Sequence, residues 1–153
     1  MRDYLNGIKL YGDDFSINQI EKWYLEESEG YADLGSDNLA NYTYNYHNLN
    51  SRYAFSKLSN AKFENVLGFG SAYGFEFEPI VDKIGSITIV EPSEKLVSKT
   101  IGHLTPKYVK PAIDGKIDFP DNSFDLIACF GTLHHIPNVS FVISEFTRVI
   151  RGC

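Results

Sequence analysis

Three short stretches of the chain carry residues that can do chemistry together. In Val66-Leu67-Gly68-Phe69-Gly70-Ser71-Ala72-Tyr73-Gly74 an apolar run enters a turn of small residues. Small residues let a backbone approach a ligand closely, and the start of a following helix presents unpaired N–H groups. In Ile87-Thr88-Ile89-Val90-Glu91-Pro92 a carboxylate closes a second apolar run. It follows the turn by about 20 residues, the separation at which such an acid meets ribose hydroxyls. Loop and acid together have the pattern of a site for a nucleotide-containing cofactor. Each has a plainer reading as well: a ligand-free βα turn and a solvated carboxylate. The third stretch is Phe130-Gly131-Thr132-Leu133-His134-His135-Ile136-Pro137-Asn138. Either imidazole could take a proton from an acceptor hydroxyl near neutral pH; the alternative is that the pair packs the loop or caps the next helix. Adjacent histidines rarely share one ion, and no carboxylate or cysteine cluster accompanies them, so no metal site is expected.

The elements that must position these residues fall into two segments. Residues 1 to 62 are rich in Tyr, Asn and Glu and read as helices and loops. From Phe63 onward, short apolar runs alternate with helical stretches, the mark of a parallel α/β sheet. The expected division is therefore a helical N-terminal segment, 1–62, and an α/β domain, 63–153. Ser16-Ile17-Asn18-Gln19 fits a capping box opening a helix that Gly30 ends. A second helix is expected over Tyr42–Leu58, with Tyr42, Tyr46, Leu49 and Tyr53 as a core-packing stripe. Strands are expected at Asn65–Phe69, Ile87–Val90, Tyr108–Lys110 and Phe124–Phe130, the last apolar on both faces. Helices are expected after the glycine turn to about Lys83, from Pro92 to about Ile101, and from Pro137 to Arg151. The last would bury Val139, Val142, Ile143, Phe146, Val149 and Ile150. Pro79 would remove a hydrogen bond from the first of these, by kinking it or marking its true start.

Composition narrows the class. With 153 residues, 43% hydrophobic and 22% charged, the chain is sized for one domain with a real core. A formal net charge of −6 argues against a nucleic-acid surface, which needs Lys and Arg on phosphates. Cys129 lies in an apolar run and Cys153 is the last residue, a poor disulfide framework that points to a reducing cytoplasm. No stretch is apolar enough to span a membrane, and the N-terminus lacks a signal-like run.

Phe119-Pro120-Asp121-Asn122-Ser123-Phe124-Asp125, then Leu133-His134-His135-Ile136-Pro137, then Glu145 with Arg148-Val149 and Arg151-Gly152, resemble the fourth-strand region of class I S-adenosylmethionine-dependent methyltransferases. With loop and acid upstream, the resemblance covers about Phe63 to Cys153. It implies a Rossmann-like three-layer α/β sandwich with a mainly parallel sheet, preceded by the N-terminal helices, 1–62, as the family's variable lid or substrate segment. It implies S-adenosyl-L-methionine as cofactor and methyl transfer to a small-molecule acceptor. Gly70, Ala72 and Gly74 match the family's three loop glycines, with Phe69 and Ser71 between and beside them. Gly68 stands where most members carry an acid that meets the methionine amino group; another acid, from the N-terminal segment for instance, would have to compensate. Glu91 matches the ribose acid, Pro92 would lie against adenine, and Ile113-Asp114 fall near the adenine-contacting position. Phe130 and Leu133 flank the cofactor in the fourth-strand loop.

The family's domain continues with a fifth strand and an antiparallel hairpin, so the resemblance implies a fold incomplete at the C-terminus. The fourth strand would then be an open edge, and a homodimer through that edge is expected, the alternative being a monomer in which the Tyr-rich N-terminal helices cover the open side. The competing reading is a non-catalytic binding module of the same fold, favoured by the missing acid at Gly68. A dinucleotide-dependent oxidoreductase is disfavoured by the Phe-Pro-Asp and Leu-His-His stretches.

Overall fold

A computed structural model describes residues 1–31, 43–58 and 61–152. Four parallel strands make its sheet: β1 (Phe63–Phe69), β2 (Ile84–Val90), β3 (Lys107–Val109) and β4 (Leu126–Ala128), in the order β3-β2-β1-β4. Register pairs Phe69 with Val90, Gly68 with Ala128 and Val90 with Val109, so the strands end together. Successive β1 side chains point to opposite faces. Val66 joins one apolar core with Phe77, Ile87, Ile89 and Ile101, while Leu67 and Phe69 join a second with Val90, Phe124, Val142 and Val149. A sheet covered on both faces explains the near-continuous apolar runs and the α/β class read from them.

The helices are α1 (Arg2–Leu5), α2 (Ile17–Tyr31), α3 (His47–Tyr53) and α4 (Val139–Val149). The predicted capping box is half realised. Gln19 Oε1 accepts from the Ser16 N–H at 2.9 Å, but the Ser16 hydroxyl donates to that same oxygen instead of receiving a backbone N–H. The second helix is shorter than expected, and Tyr42 lies outside the described residues. Its stripe is not core: Tyr46, Leu49 and Tyr53 are each more than half exposed, and Asn50 and Phe55 turn inward. At seven residues the helix has too few turns to bury a full apolar face, and a 3-10 turn at Phe55–Lys57 follows it.

Four further expectations give way. Phe75–Lys83 is 3-10 helix, with Pro79 inside it and not at its start, lacking a donor for either helix type. Residues 92–101 form no helix. The Ser98 hydroxyl donates to Tyr73 O, and its N–H donates to the Tyr108 hydroxyl, side-chain bonds that compete with a helical ladder. The strand expected over Phe124–Phe130 is regular only at Leu126–Ala128, with Phe124 bridging to Ile150. Ile143, expected on the buried face of α4, is 41% exposed. No described helix is long and apolar enough to cross a membrane.

Candidate functional site

The C-terminal ends of β1 and β2 bring the loop and the acid together. Gly70 N–H donates to Val90 O at 2.8 Å, which fastens the turn to the end of β2. Glu91, one residue further, accepts from Ala72 N–H at 2.9 Å and from Ser93 N–H at 3.0 Å. The carboxylate thus spans the loop and the chain after β2. Burial pushes its pKa up, against the two amides, which favour the charged form. Tyr108, from β3, donates its hydroxyl to Ala72 O at 3.0 Å and holds the loop from the other side.

The loop's backbone explains its residue types. Gly70, Ala72 and Gly74 all have left-handed backbones, with φ of 64°, 45° and 74°. Glycine adopts this conformation without penalty; alanine does so at a cost of about 1–2 kcal/mol. A Cβ on Gly70 would also fall 2.3 Å from Thr132 Cγ2. Thr132 Oγ1 donates to Gly70 O at 3.1 Å, and through it the segment after β4 lies against the glycine turn.

That segment carries the histidines on a 3-10 turn, Leu133–His135. His134 is exposed; the two rings are 3.6 Å apart, centroid to centroid. His135 Nδ1 lies 2.9 Å from Glu27 Oε2, and its carbonyl accepts from Trp23 Nε1 at 2.9 Å. Helix α2 is therefore docked across the turn. Asp13 accepts from Ser140 N–H and the Ser140 hydroxyl at the start of α4, and Gly12 packs on the Pro137 carbonyl. The N-terminal segment touches the site at its histidine end.

The remaining residues singled out in the sequence are placed around this centre. Phe69 is buried in the core behind the loop. Pro92 is exposed beside Glu91. Ile113 is 48% exposed, and Asp114 is held by Asn138 Nδ2 donating to its carbonyl at 2.7 Å. A cavity of about 260 Å³, which Pro92, Ile113 and Asp114 do not line, is formed by Val90, Val109, Pro111, Ile117 and Phe119 with Lys107, Lys110, Lys116 and Asp118 at its walls. It adjoins Glu91 through Val90 but does not include the glycine turn. Leu133 packs on the second core, and Phe130 meets Phe55 edge-on at 5.7 Å, turned toward the first core. Among the described residues no His, Cys, Asp or Glu group of three or more is arranged to hold a metal.

Glu76, which the sequence reading passed over, lies beside the turn against Ser71. It is 4% exposed, and burial pushes its carboxyl up to about 7. The available signal was its position, two residues past Gly74 and flanked by Phe75 and Phe77.

The arrangement fits a nucleoside cofactor with a charged tail. The turn exposes backbone to a ligand, a carboxylate stands at the end of β2, and the buried Ser71 hydroxyl faces Glu76 with no other hydrogen-bond partner. A family model described as methyltransferase domain matches residues 67–152. Solved structures with the same fold include an S-adenosylmethionine-dependent methyltransferase from Aquifex aeolicus, at 18% identity and a TM-score of 0.56, covering 90% of this chain and 69% of that one. A Haloferax volcanii protein in complex with the Trm112 methyltransferase activator matches at 14% identity and a TM-score of 0.58, over 86% of this chain and 55% of that one. A protein from Bacillus halodurans C-125 matches at 22% identity and a TM-score of 0.53, over 63% of this chain and 43% of that one. The chain thus spans about half the length of these last two proteins. No curated protein matches the sequence significantly.

Proposed function

The chain belongs to the methyltransferase domain family, and on that premise we propose that it binds S-adenosyl-L-methionine and serves methyl transfer to a small-molecule acceptor. The observation that carries this reading is the Glu91 carboxylate bonded to Ala72 N–H at 2.9 Å. It sets the acid of β2 against the glycine turn, where one ligand could meet both. When bound, the cofactor supplies an activated methyl group. The protein's own task is to hold and orient two reactants, and alignment can account for most of such a rate. In this reading Glu91 receives ribose hydroxyls, Gly68 to Gly74 give their backbone to the ligand's length, and Pro92, Ile113 and Asp114 bound the adenine. Phe130 and Leu133 shape the floor, and His134 and His135 stand at the acceptor side.

Residues 1–62 act in this proposal as the cover of that acceptor side, which the Trp23 and Glu27 contacts to His135 support. The acidic sequence favours a small acceptor over nucleic acid. Cys129 is a free thiol, in keeping with a reducing cytoplasm. The exposed edge of β4 supports pairing with a second copy of the chain.

Calorimetry with S-adenosylhomocysteine tests the central claim. Glu91→Ala should weaken binding about 10- to 100-fold, the loss of hydrogen bonds to a charged acceptor. Unchanged affinity in that variant, or no binding by the wild type, would refute it.

A further inference from the structure

Two buried carboxylates flank the turn with no cation between them. Glu91 is 8% exposed and Glu76 4%, and they repel one another. Neither forms an ion pair among the described residues. Buried charge without a partner is expensive, and a cationic ligand group would relieve it. A second observation lies at the same place. A Cβ on Gly68 would sit 2.5 Å from Ser71 Oγ and 2.9 Å from the Phe77 ring, so the Ser71 hydroxyl occupies the space that a side chain at 68 would fill. Ser71 is 7% exposed, lies against Glu76, and its hydroxyl has no hydrogen-bond partner of full geometry.

The geometry points to Glu76, acting with the Ser71 hydroxyl, as the subsite for the ammonium of the cofactor's amino-acid end, in place of the carboxylate that Gly68 lacks. The inference rests on the cofactor reading above. A serine hydroxyl can donate to a carboxylate and accept from an ammonium at once, so Ser71 connects ligand and charge. In a site shielded from water that charge acts strongly. In this proposal the compensation comes from within the βα unit.

Two ligands separate this role from a structural one. S-adenosylhomocysteine carries the amino-acid end, and 5′-methylthioadenosine keeps adenine, ribose and thioether but lacks it. Calorimetry on the full chain should show wild type preferring the first by about 10- to 100-fold. Glu76→Gln should bring the two affinities together and leave that of 5′-methylthioadenosine unchanged. Equal weakening of both, or a preference that survives the substitution, overturns the inference while leaving the cofactor reading intact. Failure of wild type to bind either ligand overturns both. Should the variant not fold, wild type alone decides: its preference should fall as pH drops through about 7, where Glu76 takes up a proton. The other titratable groups facing Glu76 are Glu91, Tyr108 and Cys129. The last two titrate well above neutrality, and Glu91 serves the ribose that both ligands share, so it cancels from the ratio. A preference independent of pH overturns the inference.

Discussion

Single residues in the turn carry opposite costs. Ala72 holds a left-handed backbone that glycine would hold without strain. Ala72→Gly should therefore raise stability by about 0.5–1 kcal/mol, after the extra unfolded-state freedom of glycine is subtracted. Urea unfolding measures it, and a loss of stability would mean the Ala72 methyl group packs more than it strains. Glu76 bears a different cost. Its folded pKa, about 7, lies above the 4.5 of a free carboxyl. The native state therefore holds more protons than the unfolded state between those values, so stability falls as pH rises from 4.5 through 7. The loss is on the order of 3 kcal/mol. Glu76→Gln should flatten that slope between pH 5 and 8; an unchanged slope would place the titration elsewhere.

At the scale of elements, the segment between β3 and β4 is fastened to α4 by Arg148 and Glu145, with Asn138 ahead of the helix on Asp114 O. Arg148 on α4 donates to Ile117 O, Phe119 O, Asp121 and Glu145, while Glu145 accepts from Ile117 N–H at 2.9 Å. The guanidinium holds the Glu145 carboxyl below the usual carboxylate range. Arg148→Ala would strand a buried carboxylate and two carbonyls, and should cost about 3 kcal/mol in urea unfolding. A loss below about 1 kcal/mol would show the pair to be solvated. Glu145 and Arg148 stood out in the sequence for their resemblance; what they grip was not legible there, because it lies 28 residues away in the chain. β1 and β2 were legible because both their faces are buried and their pattern is continuous. Residues 92–101 misled because Ser98 finds partners in Tyr73 and Tyr108 that only the folded sheet brings near. The Tyr46, Leu49 and Tyr53 stripe misled because helical spacing does not tell which side the core is on. Glu27 could not be paired with His135 by any local pattern, for their contact depends on α2 crossing the β4 turn.

For the whole molecule, the strand order leaves β4 with one strand neighbour among the described residues. Its Leu126 and Ile127 are half-buried. On the proposed pairing with a second copy, light scattering on dilute protein should report twice the chain mass. A sharp, soluble monomer would refute the pairing. The same order sets a schedule for synthesis. Thr132 meets Gly70 across 62 residues, and Asp125 meets Asn65 across 60. At about 5–20 residues per second, the turn leaves the ribosome several seconds before the groups that close it. A nascent chain can pair β1 with β2 early, yet Thr132 closes on the glycine turn only once β4 and the histidine turn emerge. On the proposed cofactor reading, a ligand would arrive too late to guide collapse and would capture only molecules that have completed it, so occupancy would count folded protein and protect it from turnover.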